Sequence, residues 1–464
     1  MYFGESYHCF FSEIPPEKPF QAIAFLEELL LEHVLSCFDI VWLHRIGRLI
    51  NRNINEFICN GLRNYELNFP DFMEDSDVVD SPYASYRSRY DSQSLKSFMN
   101  CFKKGYFSGV SSLVLRAKDI KALLKDNVLG GTNLKTVIMS GIDDAIFSKC
   151  LSIFKNYSGG ITSLVFDNCE FGKHFVPTLN NEIFRDLTSL EINKSIIAGI
   201  QNDQNIHEKS LVKQLEKVTI THCFPQKEFI MGMEESSAVF KLLNNAIFSN
   251  VKYLNLKGSC INSEVLTSLS NSEHMTKLIY LNLSSTCRMA WDCIILSAGS
   301  SLTNLKELAL ENNNISLSGM STILNSKQLS NLRKLSISPA DFLLDIYEKA
   351  TPNANIETLI LSRSTFSLEL FEMINIKSLK HLDLSSTSLN DGHLQLISSS
   401  IYLSNLTSLN LDYNNLSDTG IIDFANSSIL SNLEIISIRD NLIIFIDPIE
   451  VLQSKIPSLK KILI

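Results

Sequence analysis

One short phrase returns along most of this chain of 464 residues. Its clearest copy is LTSLNLDYNNL, which begins at Leu406 and has apolar residues at positions 1, 4, 6 and 11, with Asn414 at position 9. Copies begin about every 27 residues, with one longer step of 36 residues from Leu215 to Val251. Such a period predicts a stack of similar units, because one unit cannot bury its apolar face alone. The copies begin at Val110, Leu134, Ile161, Leu187, Leu215, Val251, Leu278, Leu305, Leu332, Ile356, Leu379, Leu406, Leu433 and Leu459.

The spacing inside the phrase predicts a short strand. Leu409 and Leu411 alternate and point into the core, while the residues beside them point away, Asp412 among them. The Asn at position 9 is expected to close the turn, because an amide side chain bonds backbone groups that a bend leaves unpaired. The remainder of each unit is long enough for a helix, for which residues 317–324 and 419–425 are candidates.

The phrases at Leu379 and Leu406 resemble the ribonuclease-inhibitor-like and cysteine-containing leucine-rich repeats, over roughly residues 110–464 and about 13–14 repeats. The resemblance implies an α/β solenoid, a horseshoe with a parallel sheet on its concave face and helices on its convex face, preceded by a small helical domain. Position 9 departs from Asn in several repeats. Ser and Thr can still bond the turn, but Ala cannot, so an irregular repeat is expected around Ala340. The departures are Ser195, Ser259, Thr286, Ala340, Ser364 and Thr387.

The residues before the repeats divide into three parts. Residues 1–19 read as an irregular lead-in, residues 20–62 carry apolar residues at helical spacing, and residues 63–109 hold a capping strand near Leu67 and a mobile loop. A further interruption falls at residues 224–236, which we interpret as a surface insertion.

The helical part, with the run FLEELLLEHVLSCFDIVWL, resembles a degenerate F-box followed by repeats, an arrangement found in substrate receptors of cullin-RING ubiquitin ligases. The F-box normally begins Leu-Pro and ends near a Trp; here Leu26 or Glu27 replaces the Pro and Asn53 stands at the Trp position. The alternative is that this segment only caps the first repeat. The resemblance implies that the Skp adaptor contacts Leu26, Leu29, Leu30, Val34, Leu35, Phe38, Leu43 and Leu49.

The net charge and the placement of the cysteines indicate the class of partner and the cellular compartment. The net charge of −9 at pH 7 argues against nucleic acid, whose phosphates need neutralising Lys and Arg. The ten cysteines form no C-x-x-C pair, and Cys169 and Cys223 fall at position 9, which predicts buried reduced thiols and a reducing compartment. We expect no secretory signal, membrane span, metal or cofactor. The chain also resembles the leucine-rich-repeat effectors that intracellular bacteria deliver into host cells, and an F-box protein of an amoeba or another eukaryote would have much the same composition. These resemblances imply a cytoplasmic location, which is the host cytosol for an effector.

No phosphate-binding loop, nucleophile elbow or metalloprotease motif occurs in the sequence, so we do not expect an enzyme. His33 with Cys37, and His8 with Cys9, are the nearest approach to a thiol and its base, and a structural role is favoured for both pairs.

The residues beside the core aliphatics are the predicted partner contacts, because Tyr and Arg most often anchor protein interfaces. The function predicted is a protein-interaction scaffold, most simply a receptor that links a repeat-bound target to a Skp/cullin ligase. The alternative is a binding module or inhibitor without that link. The predicted contact residues are Tyr253, Tyr280, Arg363, His381, Asp412, Tyr413 and Arg439.

Overall fold

A computed structural model describes residues 66–68, 112–116, 134–154, 157, 160–198, 210–223, 239, 242–259, 261–286, 292–313, 315–338 and 355–464. These residues belong to two compact units. The first includes residues 66–68, 112–115, 134–136, 152–154 and 157; the second includes residues 116, 137–151 and the described residues from 160 to 464. The predicted lead-in, the F-box-like segment, the 224–236 insertion and Ala340 lie outside the described residues.

The first unit holds β1 (Glu66–Asn68) and most of β2 (Ser112–Arg116). The two strands pair in parallel, with Leu67 opposite Leu113, and the side chain of Leu113 is fully buried. The strand expected near Leu67 is therefore confirmed.

The later strands follow the repeat phrase, since each copy from Leu134 onward contains a strand that begins at its position 3. From β4 onward, each main strand pairs in parallel with the next main strand in the chain, while the two-residue strands β5 and β7 form a separate parallel pair. The strands are β3 (Thr136–Ser140), β4 (Ser163–Asp167), β5 (Glu170–Phe171), β6 (Ser189–Asn193), β7 (Ile196–Ile197), β8 (Lys217–Thr221), β9 (Tyr253–Asn255), β10 (Tyr280–Asn282), β11 (Glu307–Ala309), β12 (Lys334–Ser336), β13 (Thr358–Ile360), β14 (His381–Asp383), β15 (Ser408–Asn410), β16 (Ile435–Ser437) and β17 (Lys461–Leu463).

The apolar pattern fixes how these strands pair. Leu382, Leu409 and Ile436, all at position 4, lie opposite one another in β14, β15 and β16. Each is at most 2% exposed, and Leu384 and Leu411 at position 6 are fully buried. Because a slip of one residue would turn these side chains toward solvent, the core itself selects this register.

The helices lie on the side of the repeats opposite the strands, and neighbouring helices pack on each other. For example, α3 (Ser263–Asn271) packs on α4 (Asp292–Ala298), and α7 (Asp391–Ser399) packs on α8 (Asp418–Ala425). Side-chain caps begin several of them: the amide oxygen of Asn262 accepts from the Val265 NH at 2.9 Å, and Ser316 caps the helix expected at 317–324. The helix expected at 419–425 is α8. The helices are α1 (Asp144–Ile153), α2 (Phe175–Leu179), α3 (Ser263–Asn271), α4 (Asp292–Ala298), α5 (Leu317–Leu324), α6 (Leu368–Met373), α7 (Asp391–Ser399), α8 (Asp418–Ala425) and α9 (Pro448–Lys455).

Position 9 joins each repeat to its neighbour, as Asn414 shows. Its amide nitrogen donates to the carbonyl oxygens of Leu411 in its own repeat and Leu384 in the preceding one, both at 2.9 Å. Its amide oxygen accepts from the backbone NH of Leu389, also at 2.9 Å. One buried side chain thus satisfies backbone groups of two repeats. Asn313 and Asn441 bond the turn in the same manner.

In other repeats, cysteine and serine side chains at position 9 make some of these hydrogen bonds. The thiol of Cys169 donates to the carbonyl oxygen of Met139 at 3.5 Å. The hydroxyl of Ser259 accepts from the Cys223 NH at 3.2 Å and donates to the carbonyl oxygen of Ile220 at 2.8 Å. Cys169 and Cys223 are buried thiols, as expected from their place at position 9. The parallel strands, the helices and the bonded turns together identify the second unit as a leucine-rich repeat solenoid.

Candidate functional site

The candidate site consists of two sets of side chains on the second unit. We call the side chains at positions 3, 5 and 7 the strand face, because they alternate with the buried residues at positions 4 and 6. We call the residues at position 8 the turn row. Most of these side chains are half-buried or exposed, so the two sets form the candidate binding surface of the repeats.

Tyr253 and Tyr280 lie directly opposite each other in β9 and β10. Their ring centroids are 6.4 Å apart, and Tyr253 is 47% exposed. Lys217 and Glu307 occupy the same position on the two outer neighbouring strands. The strand face therefore carries an aromatic pair between side chains of opposite charge.

Charged residues also line the start of the strands. The ammonium of Lys252 lies 2.6 Å from the Glu216 carboxylate, and that of Lys380 lies 2.8 Å from the Glu357 carboxylate. The Lys380 hydrogen bond lowers the pKa of Glu357, with Arg333 acting in the same direction. Such exposed pairs add little stability, so their main effect is to orient charge along this edge.

The turn row shares one backbone conformation. Each residue at position 8 has a positive φ in the described repeats, from 48° at Lys194 to 70° at Gly258. The row includes two of the predicted contacts, Arg363 and Tyr413, with φ values of 58° and 56°. These two residues project from turns and do not belong to strands, a difference that the phrase alone did not reveal.

Arg363 and Tyr413 lie on one groove of about 350 Å³, which we call the serine groove. Short side chains form its floor, and the longer Glu311, Asn312 and Tyr413 stand at its ends. Ser338 and Ser362 place their hydroxyl oxygens 3.0 Å apart. The groove is lined by Glu311, Asn312, Ser338, Ser362, Arg363, Ser385, Ser386 and Tyr413.

Asp412 does not occupy the exposed position expected of it. The residue is only 9% exposed, and its carboxylate accepts from the Ser437 hydroxyl at 2.6 Å and from the Arg439 NH at 2.8 Å. Asp412 is therefore a link between neighbouring repeats that holds the backbone of Arg439. The side chains of Arg439 and His381 are exposed on the strand face.

The sequence reading missed the groove serines and Ser437. One signal was available: position 7 is Ser in three successive repeats, at Ser338, Ser362 and Ser385, between the longer Glu311 and Asp412. A run of short side chains between long ones produces a depression. The predicted adaptor contacts, Leu26 to Leu49, lie outside the described residues.

The cysteines at position 9 are not activated as nucleophiles. Burial raises the pKa of the Cys169 thiol to about 11 and that of Cys223 to about 12, so neither is a ready nucleophile at neutral pH. Within the same residues, no cluster of three His, Cys, Asp or Glu side chains is suited to a metal ion. None of the helices described there combines the length and apolarity that crossing a membrane requires.

Comparison with known proteins gives matches only among solved structures; neither a protein-family model nor a curated protein matches the chain. An internalin from Listeria monocytogenes str. 4b F2365 is 17% identical, with 75% of this chain and 93% of that chain covered and a TM-score of 0.41. A leucine-rich repeat protein of Leptospira interrogans is 16% identical, with 78% and 97% covered and a TM-score of 0.38. A chain of a TLR13–ssRNA13 complex is 15% identical, with 75% and 56% covered and a TM-score of 0.40.

Proposed function

We propose that the chain is a protein-binding scaffold whose partner contacts the strand face and the turn row. The observation that carries the proposal is the pair formed by Tyr253 and Tyr280, whose rings lie side by side on the outer surface of the sheet. Tyr and Arg are enriched where interfaces are anchored, and the side chain of Tyr253 is 47% exposed. The exposed His381, Arg363, Tyr413 and Arg439 extend the same surface along the repeats.

Asp412 contributes indirectly, by positioning a neighbouring contact residue. Because its carboxylate bonds the Arg439 NH and the Ser437 hydroxyl, it positions the backbone that carries the Arg439 side chain. The direct contacts proposed are therefore Tyr253, Tyr280, Arg363, His381, Tyr413 and Arg439.

The test compares two variants of the full chain. The first replaces Tyr253, Tyr280, Tyr413 and Arg439 with Ala, and the matched control replaces Ile401 and Tyr402, which are exposed outside the strand face. Partners captured from eukaryotic lysate are identified by mass spectrometry, and the purified partner is then titrated against each protein. We expect Kd to rise at least about tenfold for the first variant, since anchor residues contribute more than about 1 kcal/mol each. Equal affinity for both variants would refute the proposal.

The finer role we propose is that of a substrate receptor, in which residues 20–62 recruit a Skp adaptor and its cullin while the repeats hold the target. Its support is the F-box resemblance and the order of the two parts along the chain. This role implies a cytoplasmic location, or the host cytosol for an effector. Co-purification of the intact chain and of a variant with Leu29, Leu30 and Val34 changed to Ala tests it: the intact chain should recover adaptor and cullin. Recovery of a repeat-bound partner without them would favour a binding module or inhibitor.

A further inference from the structure

The serine groove combines three groups with different chemistry at equal intervals: the half-buried Glu311 and the exposed Arg363 and Tyr413. Glu311 lies two repeats before Arg363, and Tyr413 lies two repeats after it. Neighbouring parallel strands are about 4.8 Å apart, so each interval is about 10 Å and the groove runs for about 19 Å. An acid at position 7 and a base and an aromatic ring at position 8 are thus spaced along the groove.

The floor between these groups is internally bonded. The Ser338 hydroxyl donates to the carbonyl oxygen of Ser362, and the Ser385 hydroxyl donates to the Asp383 carboxylate at 2.7 Å. At one end, a carboxylate oxygen of Glu311 accepts from the Ser336 hydroxyl at 2.6 Å, which fixes the orientation of that charge. The serine floor and the Glu311 carboxylate are therefore held in place by hydrogen bonds within the protein.

The alternation of charge excludes a uniformly charged occupant. A polyanion would be attracted by Arg363 but repelled by Glu311 and by Asp383, whose carboxylate accepts from the lining residue Ser385. An extended peptide in the polyproline II conformation meets the spacing. It rises about 3.1 Å per residue with about three residues per turn, so every third side chain faces the same side at intervals of about 9 Å.

We infer that the serine groove binds an extended peptide segment that places a basic residue at Glu311, an acidic residue three positions on at Arg363, and an apolar residue three further on at Tyr413. The inference rests on the proposed function, since the segment belongs to the bound partner. The groove then selects a partner by the order and spacing of its charged residues, while the rest of the strand face supplies contact area.

Fluorescein-labelled synthetic peptides titrated against the full chain by anisotropy test this inference. One peptide carries Lys, Glu and Leu at intervals of three residues; a second carries the same residues at intervals of two. We expect the first to bind about fivefold more tightly, the scale of one exposed ion pair. A third peptide, with Lys in place of the Glu, should bind the native chain more weakly than the first.

The variant Arg363→Glu should reverse that charge preference and bind the third peptide more tightly than the first. A misfolded variant could not gain affinity, so the reversal controls for folding, and Arg185→Glu, an exposed Arg outside both the groove lining and the proposed contacts, should leave the preference unchanged. Equal binding of the two spacings, no measurable binding of any peptide, or no reversal in Arg363→Glu would each overturn the inference.

An outcome that refutes the groove inference is distinguishable from one that refutes the proposed function. If the peptides show no preference while Tyr253→Ala with Tyr280→Ala still abolishes partner binding, only the groove inference is wrong. If that double variant binds the partner normally, the strand-face proposal is wrong, and the peptide titrations still report on the groove.

Discussion

The amide nitrogen of Asn414 lies 2.9 Å from the carbonyl oxygen of Leu384, a residue of the preceding repeat. Because Asn414 is only 5% exposed, removing its side chain leaves backbone groups of two repeats buried without partners. The repeats are thus coupled through single side chains as well as through strand pairing and core packing.

Asn414→Ala should lower the free energy of unfolding by about 3 kcal/mol, since each buried group left unpaired costs about 1–3 kcal/mol. Chemical denaturation measures the total, and hydrogen exchange should show faster exchange at the Thr387 and Leu389 amides, which now bond to Asn414. Asn415→Ala is the matched control, because this neighbouring Asn is exposed. Similar losses for both variants would contradict the argument.

Asp418→Ala should loosen the loop after β16. One carboxylate oxygen of Asp418 accepts from the backbone NH groups of Ile444, Phe445 and Ile446 at 3.0–3.1 Å. We expect hydrogen exchange at these three amides to accelerate by about tenfold or more, because hydrogen bonds to a charged group contribute about 1.5–3 kcal/mol. Asp423→Ala, an exposed Asp in the same helix α8, should leave them unchanged.

Gly420→Ala should be destabilising by about 1–3 kcal/mol, the usual cost of adding a methyl group to a filled space. A Cβ at Gly420 would lie 2.1 Å from a carboxylate oxygen of Asp391, which bonds the Ser417 NH and hydroxyl. Thermal unfolding of a double-mutant cycle with Asp391→Ala should show that the methyl group costs less once the carboxylate is gone. Gly392→Ala meets no closer atom than 3.4 Å and should be neutral or stabilising by up to about 1 kcal/mol.

Stability should fall on acidification through His393. Its neutral Nδ1 accepts from the Asn390 NH at 3.2 Å, and burial lowers the pKa of its imidazole below the ordinary value. Between the folded and unfolded pKa values the unfolded chain binds more protons, so this contribution is present above about pH 6.5 and is lost as the pH falls through the folded value.

The melting temperature measured between about pH 7 and pH 5 tests this prediction in the range where histidine titrates. His393→Gln keeps a capping side chain at the same helix position but cannot titrate, so its melting temperature should fall less over that range. Parallel curves for the native chain and the variant would show that His393 does not contribute.

The position-9 thiols should be unreactive in the folded protein. Desolvation raises the pKa of Cys169 to about 11 and that of Cys223 to about 12, which leaves almost no thiolate at neutral pH. Peptide mass spectrometry after iodoacetamide treatment should find both unmodified in the native chain and modified in guanidinium chloride. Alkylation of either one under native conditions would mean that its turn opens.

The strands and their register could be predicted from the sequence because the information is local. Leu409 and Leu411 alternate within one phrase, and the phrase recurs at a nearly constant period, so the start of each strand follows directly. The burial of the cysteines at position 9 could be predicted for the same reason.

The proposed contact surface was less predictable because it depends on pairs of residues in different repeats. The burial of Asp412 results from the Ser437 hydroxyl, which lies 25 residues away in the chain. The serine groove depends on comparing side-chain size at one position across successive repeats. Neither relationship is visible in a single phrase, although both become visible when the repeats are aligned by position.

The turn row has a consequence for how specificity can change. Asn168, Lys194, His222, Arg363, Tyr413 and Asp440 differ in charge, size and polarity, yet all adopt the same left-handed backbone conformation. None is β-branched, the class for which this conformation is most unfavourable. Single substitutions at these sites can therefore exchange one chemical group for another while the turn stays intact. Natural variation can diversify this row one codon at a time, with selection for folding acting on other positions.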